Sequence, residues 1–255
     1  MTFFHEEHFS DRSYEEIIDV ISSKGYVSLR IDEIGHMRDL FFDNADKRQY
    51  VLRHDVDMSP TGALKLGKIE HKKGVTSNFF FQLNSATYQM LSSKCVDICK
   101  ELQSMGHLVG LHVDSALFKE DEENILRTIE WVRESLFPMD YAASFHRPAK
   151  DTLGKSYTKF ISAYDAVIFN TACYASDSRG EDMFYEKLDT MLDNKVPFFQ
   201  LLLHPCWWEC ETDKDKIRKR LKDKYSSFID DYLIDNFPKV FKNIIMEERK
   251  NVSVE

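Results

Sequence analysis

Four polar clusters in the sequence combine residue types that bind metal ions and transfer protons. The first, Arg-His-Asp-Val-Asp, directly follows an apolar run and contains Asp55 and Asp57. A carboxylate oxygen suits a divalent cation, and a second, free carboxylate can accept a proton. Two aspartates in alternation could divide these tasks, one binding a metal and the other acting as a base. Capping of the following helix is the structural alternative for both residues.

The second cluster spans a short predicted strand with a histidine at each end, His107 and His112. The two residues are five positions apart, so their side chains point to opposite faces of an extended strand. One ion therefore cannot readily bind both of them. His112, at the carboxyl end, is the better candidate for a metal ligand, and we expect a structural role for His107.

The third and fourth clusters also follow apolar segments. The third contains His146 and Arg147 before a proline, and an arginine in such a fixed turn is suited to hold a catalytic carboxylate by a forked pair of hydrogen bonds. The fourth contains His204, followed by Trp207 and Trp208. This arrangement is typical of an acid or base beside an aromatic wall that binds sugars, although paired tryptophans are as often simple packing.

Segments with strand-like and helix-like patterns alternate between these clusters. The predicted strands are Tyr50–Val56, Val75–Phe81, Leu108–His112, Ala142–Phe145, Ala166–Asn170 and Phe198–Leu203. The predicted helices are Ser13–Ser23, which begins with a capping box at Ser13 to Glu16, Thr61–Lys73, Ser92–Met105, Asp121–Leu136, Thr152–Ala163 and Met183–Asp193. The alternation predicts an α/β fold with a mostly parallel sheet, covered by helices and able to curl into a barrel. The clusters fall at the carboxyl ends of strands, where such sheets hold their ligands.

Composition and charge restrict the class of protein further. The chain has 255 residues, of which 43% are hydrophobic and 30% are charged, as in a globular protein. We expect one domain over residues 1–255, with a catalytic core of about 50–208 and a helical C-terminal extension of about 211–248. The net charge of −9 opposes binding to nucleic acid or to an anionic lipid surface. For the charged C-terminal segment we expect a solvated helix packed on the barrel, with homo-oligomerisation through this helix as the alternative.

Some further residues near these clusters have simpler interpretations. Cys95 and Cys99 lie on the apolar face of a predicted helix, which favours buried, reduced thiols over a metal site. Cys206 is at most part of a pocket wall. Tyr174 and Asp177 follow a strand and could reach the pocket, but a surface turn rich in serine and aspartate is nearly as well supported.

The order of the motifs resembles that of the polysaccharide deacetylases, carbohydrate esterase family four (CE4). The matching elements are Asp-x-Asp, the Gly-His to Gly-x-His run that ends at His112, His-Arg-Pro and Leu-Leu-His-Pro, which extend over roughly Val51 to Trp208. The resemblance implies a distorted, incompletely closed (β/α) barrel with extra C-terminal helices. It also implies an enzyme that removes N- or O-acetyl groups with a divalent metal.

The resemblance implies a role for each matching residue. Asp55 would be the base, Arg147 would steady it, and His204 would be the acid. Asp57 and His112 would bind the metal, for which we expect Zn²⁺, with other divalent ions open.

Two departures from the family pattern affect these roles. Asp55-Val56-Asp57 replaces the usual adjacent aspartates, and Ala116 stands where the family has the second histidine of a His-x3-His pair. Catalytic zinc sites normally use three protein ligands and a water. We expect His146 to supply the third ligand, with Asp114 and His54 as alternatives.

These observations favour a metal-dependent hydrolase that deacylates an N-acylated sugar. No secretory signal opens the sequence and no apolar run is long enough to span a membrane, so we expect a cytoplasmic protein. Its substrate would then be a sugar-nucleotide or lipid-linked precursor of a surface polysaccharide. A cyclic amide or ureide hydrolase of the same fold, and a catalytically silent carbohydrate-binding protein, are the alternatives.

Overall fold

The computed structural model describes residues 3–4, 9–36, 48–115, 121–209 and 214–252. The chain divides into two compact units, residues 1–211 and residues 212–255. The first unit contains a β-sheet with its surrounding helices. The described residues of the second unit form two helices.

A parallel sheet of eight strands forms the centre of the first unit. The strands are β1 Tyr26–Ser28, β2 Arg48–Val56, β3 Asn78–Phe81, β4 Leu108–Asp114, β5 Ala142–His146, β6 Ile161–Ser162, β7 Tyr174–Ser176 and β8 Phe198–Leu203. Their order is β6-β5-β4-β3-β2-β8-β7, and β1 pairs with the first residues of β2. Because β6 and β7 form the two ends of this order without pairing with each other, the sheet is an incompletely closed (β/α) barrel, as predicted.

The described residues of the first unit contain six α-helices. They are α1 Asp11–Ser23, α2 Ile31–His36, α3 Pro60–Lys72, α4 Ser93–Ser104, α5 Glu122–Ser135 and α6 Glu181–Asp193. The side chains of Ser59, Ser92 and Asp121 accept hydrogen bonds from the first turns of α3, α4 and α5, which satisfies backbone donors that have no partner within a helix. The capping box of α1 is formed by Ser10 and Ser13, because the helix begins at Asp11, two residues earlier than predicted.

Alternation along β2 separates the two faces of the sheet. Val51 packs in the inner core with Phe80 and Leu108, whereas Leu52 packs in the outer core with residues of α1 and α6. Since side chains on a strand alternate, Arg53 and Asp55 share the inner face with Val51, and His54 shares the outer face with Leu52. The inner face is closely packed at Gly110 of β4, where a Cβ atom would lie 2.5 Å from the backbone oxygen of Ala142.

The region between β5 and α6 differs from the prediction. A helix over Thr152–Ala163 is wrong, because only Lys150–Thr152 form one turn of 3-10 helix and the chain then turns at Gly154, whose φ is +83°. A strand over Ala166–Asn170 is also wrong. There the Asp165 side chain accepts a hydrogen bond from the Val167 amide, which favours a turn over a strand.

The second unit contains α7, Lys214–Asn236, and α8, Pro238–Val252. The prediction of additional C-terminal helices is therefore confirmed, and the helical pattern is interrupted at Pro238 as expected. Within the described ranges, no helix is both long enough and apolar enough to span a bilayer.

Candidate metal centre

The carboxyl ends of β2, β4, β5 and β8 meet at one edge of the sheet. The strand register places His112 of β4 beside Ser144 of β5, and Asp114 beside His146. Asp57 follows β2 directly and His204 follows β8 directly. Parallel strands therefore bring together side chains that are distant in sequence.

Asp57, His112 and His146 form the centre of this cluster. Their donor atoms all lie within 4.8 Å of one another. The Oδ1 atom of Asp57 is 3.1 Å from Nε2 of His112 and 3.3 Å from Nδ1 of His146. One carboxylate and two imidazoles are a donor set that suits a divalent transition-metal ion.

The hydrogen bonding of the cluster supports this fit. The buried Nε2 atom of His112 has no hydrogen-bond partner, although Asp57 is close. A buried polar atom without a partner is costly unless something binds it. Burial alone would raise the pKa of Asp57, but the nearby His112 and His146 lower it below its usual range, so the carboxylate is ionised. The residues present can therefore hold a metal ion.

His146 faces the cluster because of its position on β5. Ser144 and His146 are two residues apart, so they lie on the same face of the strand, and Ser144 contacts Asp55. Asp57 raises the pKa of His146, and burial lowers it by less. His146 thus lies beside Asp57 and His112, with its donor atom within 4.8 Å of theirs. Ala116 lies outside the described residues.

The two alternatives for the third donor have different positions. His54 points to the outer face of the sheet, where its Nε2 lies 2.7 Å from Oε1 of the buried Glu70 and its ring stacks on Phe79. Asp114 is partly buried at the end of β4 and does not belong to the group whose donor atoms converge within 4.8 Å.

Asp55 lies next to this cluster and is held by two neighbours. Arg53 donates from Nε to Oδ1 at 2.9 Å and from Nη2 to Oδ2 at 2.6 Å. The hydroxyl of Ser144 donates to Oδ1 at 3.0 Å. Burial raises the pKa of Asp55, but the charge and hydrogen bonds of Arg53 help to outweigh burial and lower it. The carboxylate is therefore ionised and fixed in orientation.

The forked pair that we predicted for Arg147 is made by Arg53. Arg147 is exposed, and its φ of +54° ends the extended conformation of β5. Arg53 is fully buried, and it also donates to Tyr164 at 3.0 Å and to Gln200 at 3.2 Å. Residues 53 and 55 share one face of β2, so the alternation of side chains along the strand is the sequence signal for this pair.

His204 lies on the other side of Asp57 and is paired with Asp177. The ring Nδ1 lies 2.5 Å from Oδ1 of Asp177, and the backbone amide of His204 donates to Oδ2 at 2.6 Å. Trp208 donates to the same Oδ2 at 2.9 Å. Because the carboxylate accepts from Nδ1, the Nε2 atom of His204 is directed to the cluster, 3.8 Å from Oδ2 of Asp57.

Asp177 determines the protonation of His204. Burial lowers the pKa of His204, but the carboxylate of Asp177 outweighs this effect and raises it to about 9. The imidazole therefore carries a proton on each nitrogen at neutral pH. Asp177 is buried and bonded to His204, so it reaches the pocket and does not lie in an exposed surface turn.

Four other residues are not among the converging donor atoms. Gln82 donates to Oδ1 of Asp57 at 2.9 Å, a contact that no motif indicated. Cys206 is buried, and burial raises the pKa of its thiol, so it is not a reactive thiolate. Tyr174 begins β7 and is partly buried, with its pKa raised by burial. His107 is fully buried just before the first residue of β4, 3.0 Å from the carbonyl oxygen of Gly67, and does not belong to the group of converging donors.

No family model and no curated protein matches this chain. Among solved structures, a peptidoglycan deacetylase from Bdellovibrio bacteriovorus is similar to it, with a TM-score of 0.37 and 15% sequence identity over 69% of this chain and 49% of the other. The chitin deacetylase from the fungal pathogen Colletotrichum lindemuthianum is similar with a TM-score of 0.41 and 14% identity, over 69% of this chain and 82% of the other.

A CE4 esterase from Streptococcus mutans is also similar, with a TM-score of 0.43 and 13% identity, over 81% of this chain and 89% of the other. This chain spans about half the length of the Bdellovibrio deacetylase. Two of the three are named as deacetylases and the third as a CE4 esterase, which is the class whose motifs this sequence resembles.

Proposed function

We propose that the protein is a metal-dependent hydrolase that removes an acetyl or other acyl group from the nitrogen of an N-acylated sugar. The observation that carries this proposal is the convergence of Asp57, His112 and His146 between an ionised carboxylate and a protonated imidazole. Groups whose pKa values are pushed apart in this way are typical of a base and an acid that work in one reaction.

Asp57, His112 and His146 would hold the metal ion. Nitrogen and oxygen donors in this number suit Zn²⁺, which is the ion we propose, and other divalent ions fit the same set. When bound, a divalent ion polarises a carbonyl oxygen and lowers the pKa of a water molecule toward neutrality. Gln82 would hold Asp57 in place through its bond to Oδ1.

Asp55 would act as the general base. Its carboxylate is ionised and cannot rotate freely, because Arg53 holds both oxygens and Ser144 holds one of them. It would accept a proton from the attacking water. The acid–base step typically contributes about 10² to 10⁴ in rate.

His204 would act as the general acid. Asp177 keeps it protonated at neutral pH and directs its Nε2–H toward the cluster. It would donate this proton to the departing amine, which is otherwise a poor leaving group. The half-buried Trp207, close in sequence to His204, would line the sugar site.

We further propose that the substrate is a cytoplasmic precursor of a surface polysaccharide, either a sugar nucleotide or a lipid-linked sugar. The described cysteines Cys95, Cys99, Cys173 and Cys206 are free thiols, which is typical of proteins in a reducing compartment. The acidic net charge of −9 opposes a nucleic acid partner.

The experiment that tests this proposal compares metal content and turnover in matched aspartate variants. Purified wild-type protein should contain one divalent ion per chain and release acetate from N-acetylated sugars, and Asp57→Asn should lose both. Asp55→Asn should keep the ion and lose turnover by about 10² to 10⁴.

Asp114→Asn is the matched control in this experiment, because Asp114 lies beside His146 in the strand register but does not belong to the donor group. It should keep both the ion and turnover. Turnover of cyclic amides without release of acetate from any acetylated sugar would contradict the proposed substrate class. A wild-type protein that binds no metal would contradict the proposed chemistry.

A further inference from the structure

Ser144 connects two functional groups that have separate tasks. It is fully buried on β5, beside His112 in the strand register. Its Oγ atom is 3.0 Å from Oδ1 of Asp55 and 2.6 Å from Nδ1 of His112. One hydroxyl therefore lies between the proposed base and a proposed metal ligand.

The direction of these two hydrogen bonds follows from the number of hydrogens available. A serine hydroxyl has one hydrogen to donate, and an ionised carboxylate can only accept. Arg53 donates to both oxygens of Asp55, so Asp55 has no hydrogen to give to Ser144. Ser144 must then donate to Asp55, and it accepts a hydrogen bond from Nδ1–H of His112.

This direction determines the tautomer of the neutral His112 ring. With the hydrogen on Nδ1, the Nε2 atom has a free lone pair. That atom lies 3.1 Å from Oδ1 of Asp57 and has no hydrogen-bond partner. In the other tautomer, Nε2 would carry the hydrogen and could donate it to Asp57. Nε2 would then have no lone pair available to bind a metal ion.

We propose that Ser144 is a positioning residue that holds His112 in the tautomer able to bind a metal ion. The inference rests on the proposed function, because it takes His112 as a ligand and Asp55 as the base. The four side chains then form a chain of hydrogen bonds, in which Arg53 donates to Asp55, Ser144 donates to Asp55, and His112 donates to Ser144. A hydrogen bond to the second nitrogen of a ligating histidine commonly fixes its tautomer and increases metal affinity.

The first test measures metal affinity after removal of the hydroxyl. Ser144→Ala should bind Zn²⁺ about 10- to 100-fold more weakly than the wild type, in competition with a chromophoric chelator at constant pH. Ser162→Ala is the matched control, since Ser162 is also fully buried and its hydroxyl accepts from the Tyr164 amide, away from His112. The control should keep the wild-type affinity. Unchanged affinity in Ser144→Ala would overturn the proposal.

The second test reads the tautomer directly and needs no metal. Nitrogen NMR of the metal-free wild type, labelled at histidine and measured where His112 is neutral, should show hydrogen on Nδ1 and none on Nε2. Ser144→Ala should shift the population toward Nε2–H, an effect that simple loosening of the fold would not produce. A wild-type ring with its hydrogen on Nε2 would overturn the proposal.

The two tests also separate this inference from the proposed function. A wild type that binds no Zn²⁺ would overturn the proposed function, and the NMR result would still decide the role of Ser144. A wild type that binds Zn²⁺ and turns over substrate, with an unaffected Ser144→Ala, would overturn the positioning role alone.

Discussion

Replacement of Arg53 by methionine should destabilise the fold strongly, because Arg53 neutralises the buried carboxylate of Asp55. Both side chains are nearly inaccessible, with 0% exposure for Arg53 and 4% for Asp55. Removing one partner of a buried ion pair leaves an uncompensated charge, which costs about 3 to 5 kcal/mol. Methionine fills much of the same volume, so a cavity adds little to this cost.

The other contacts of Arg53 support the upper part of this range. Arg53 also loses its hydrogen bonds to Tyr164 and Gln200, and its guanidinium lies 4.3 Å from the centre of the Tyr164 ring. The free energy of unfolding of Arg53→Met can be compared with that of the wild type by denaturation in guanidinium chloride. Arg53→Lys should have an intermediate stability, because it keeps the charge and loses the forked geometry.

Arg147→Ala is the control for this prediction. Arg147 is exposed, and substitutions at the surface usually change stability by less than about 0.5 kcal/mol. A loss below about 1 kcal/mol in Arg53→Met, or an equal loss in Arg147→Ala, would refute the conclusion that Arg53 holds the buried carboxylate of Asp55.

Three other predictions concern single contacts. His146→Phe should weaken Zn²⁺ binding as much as His112→Ala does, since both rings contribute a donor to the same group; an unchanged affinity in a chelator competition would remove His146 from the site. Asp177→Asn should lower kcat and move the alkaline limb of the pH–rate profile to lower pH, because the carboxylate raises the pKa of His204 to about 9; an unmoved limb would contradict this. Glu70→Gln should lower the free energy of unfolding at pH 7 by about 1.5 to 3 kcal/mol, since His54 bonds the buried carboxylate. Burial raises the pKa of Glu70, but His54 helps to outweigh burial and lower it. The stabilisation by the ionised Glu70 should therefore be fully present above about pH 4.3 and lost as the pH falls further. A difference in the free energy of unfolding between Glu70→Gln and the wild type that stays constant at lower pH would exclude Glu70 as the source of this stabilisation.

The alternation of strand residues was the most reliable signal in the sequence. It separated His112 from His107 correctly, and β8 has the predicted bounds, Phe198–Leu203. The same rule places His146 on the inner face with Ser144. A period of two can be read from sequence because it is a property of any extended strand and does not depend on which residues pack against it.

Contacts that depend on tertiary packing could not be read in the same way. The apolar residues between Thr152 and Ala163 have a helical appearance, but Tyr157 and Phe160 stack on each other in an irregular segment, with ring centroids 4.6 Å apart. The bond from Gln82 to Asp57 joins residues 25 positions apart, and no local pattern specifies it. Alternation along β2 makes Arg53 a candidate partner of Asp55, but only the assembled sheet shows that Arg53 is buried and that Arg147 is exposed.

The most direct test of the central claim is a crystal structure of the protein soaked with Zn²⁺, with the ion located by anomalous diffraction. We expect one ion bound by Asp57, His112 and His146, at about 2.0 to 2.2 Å from each donor atom. An ion bound elsewhere, or one that leaves His146 or Asp57 uncoordinated, would contradict it.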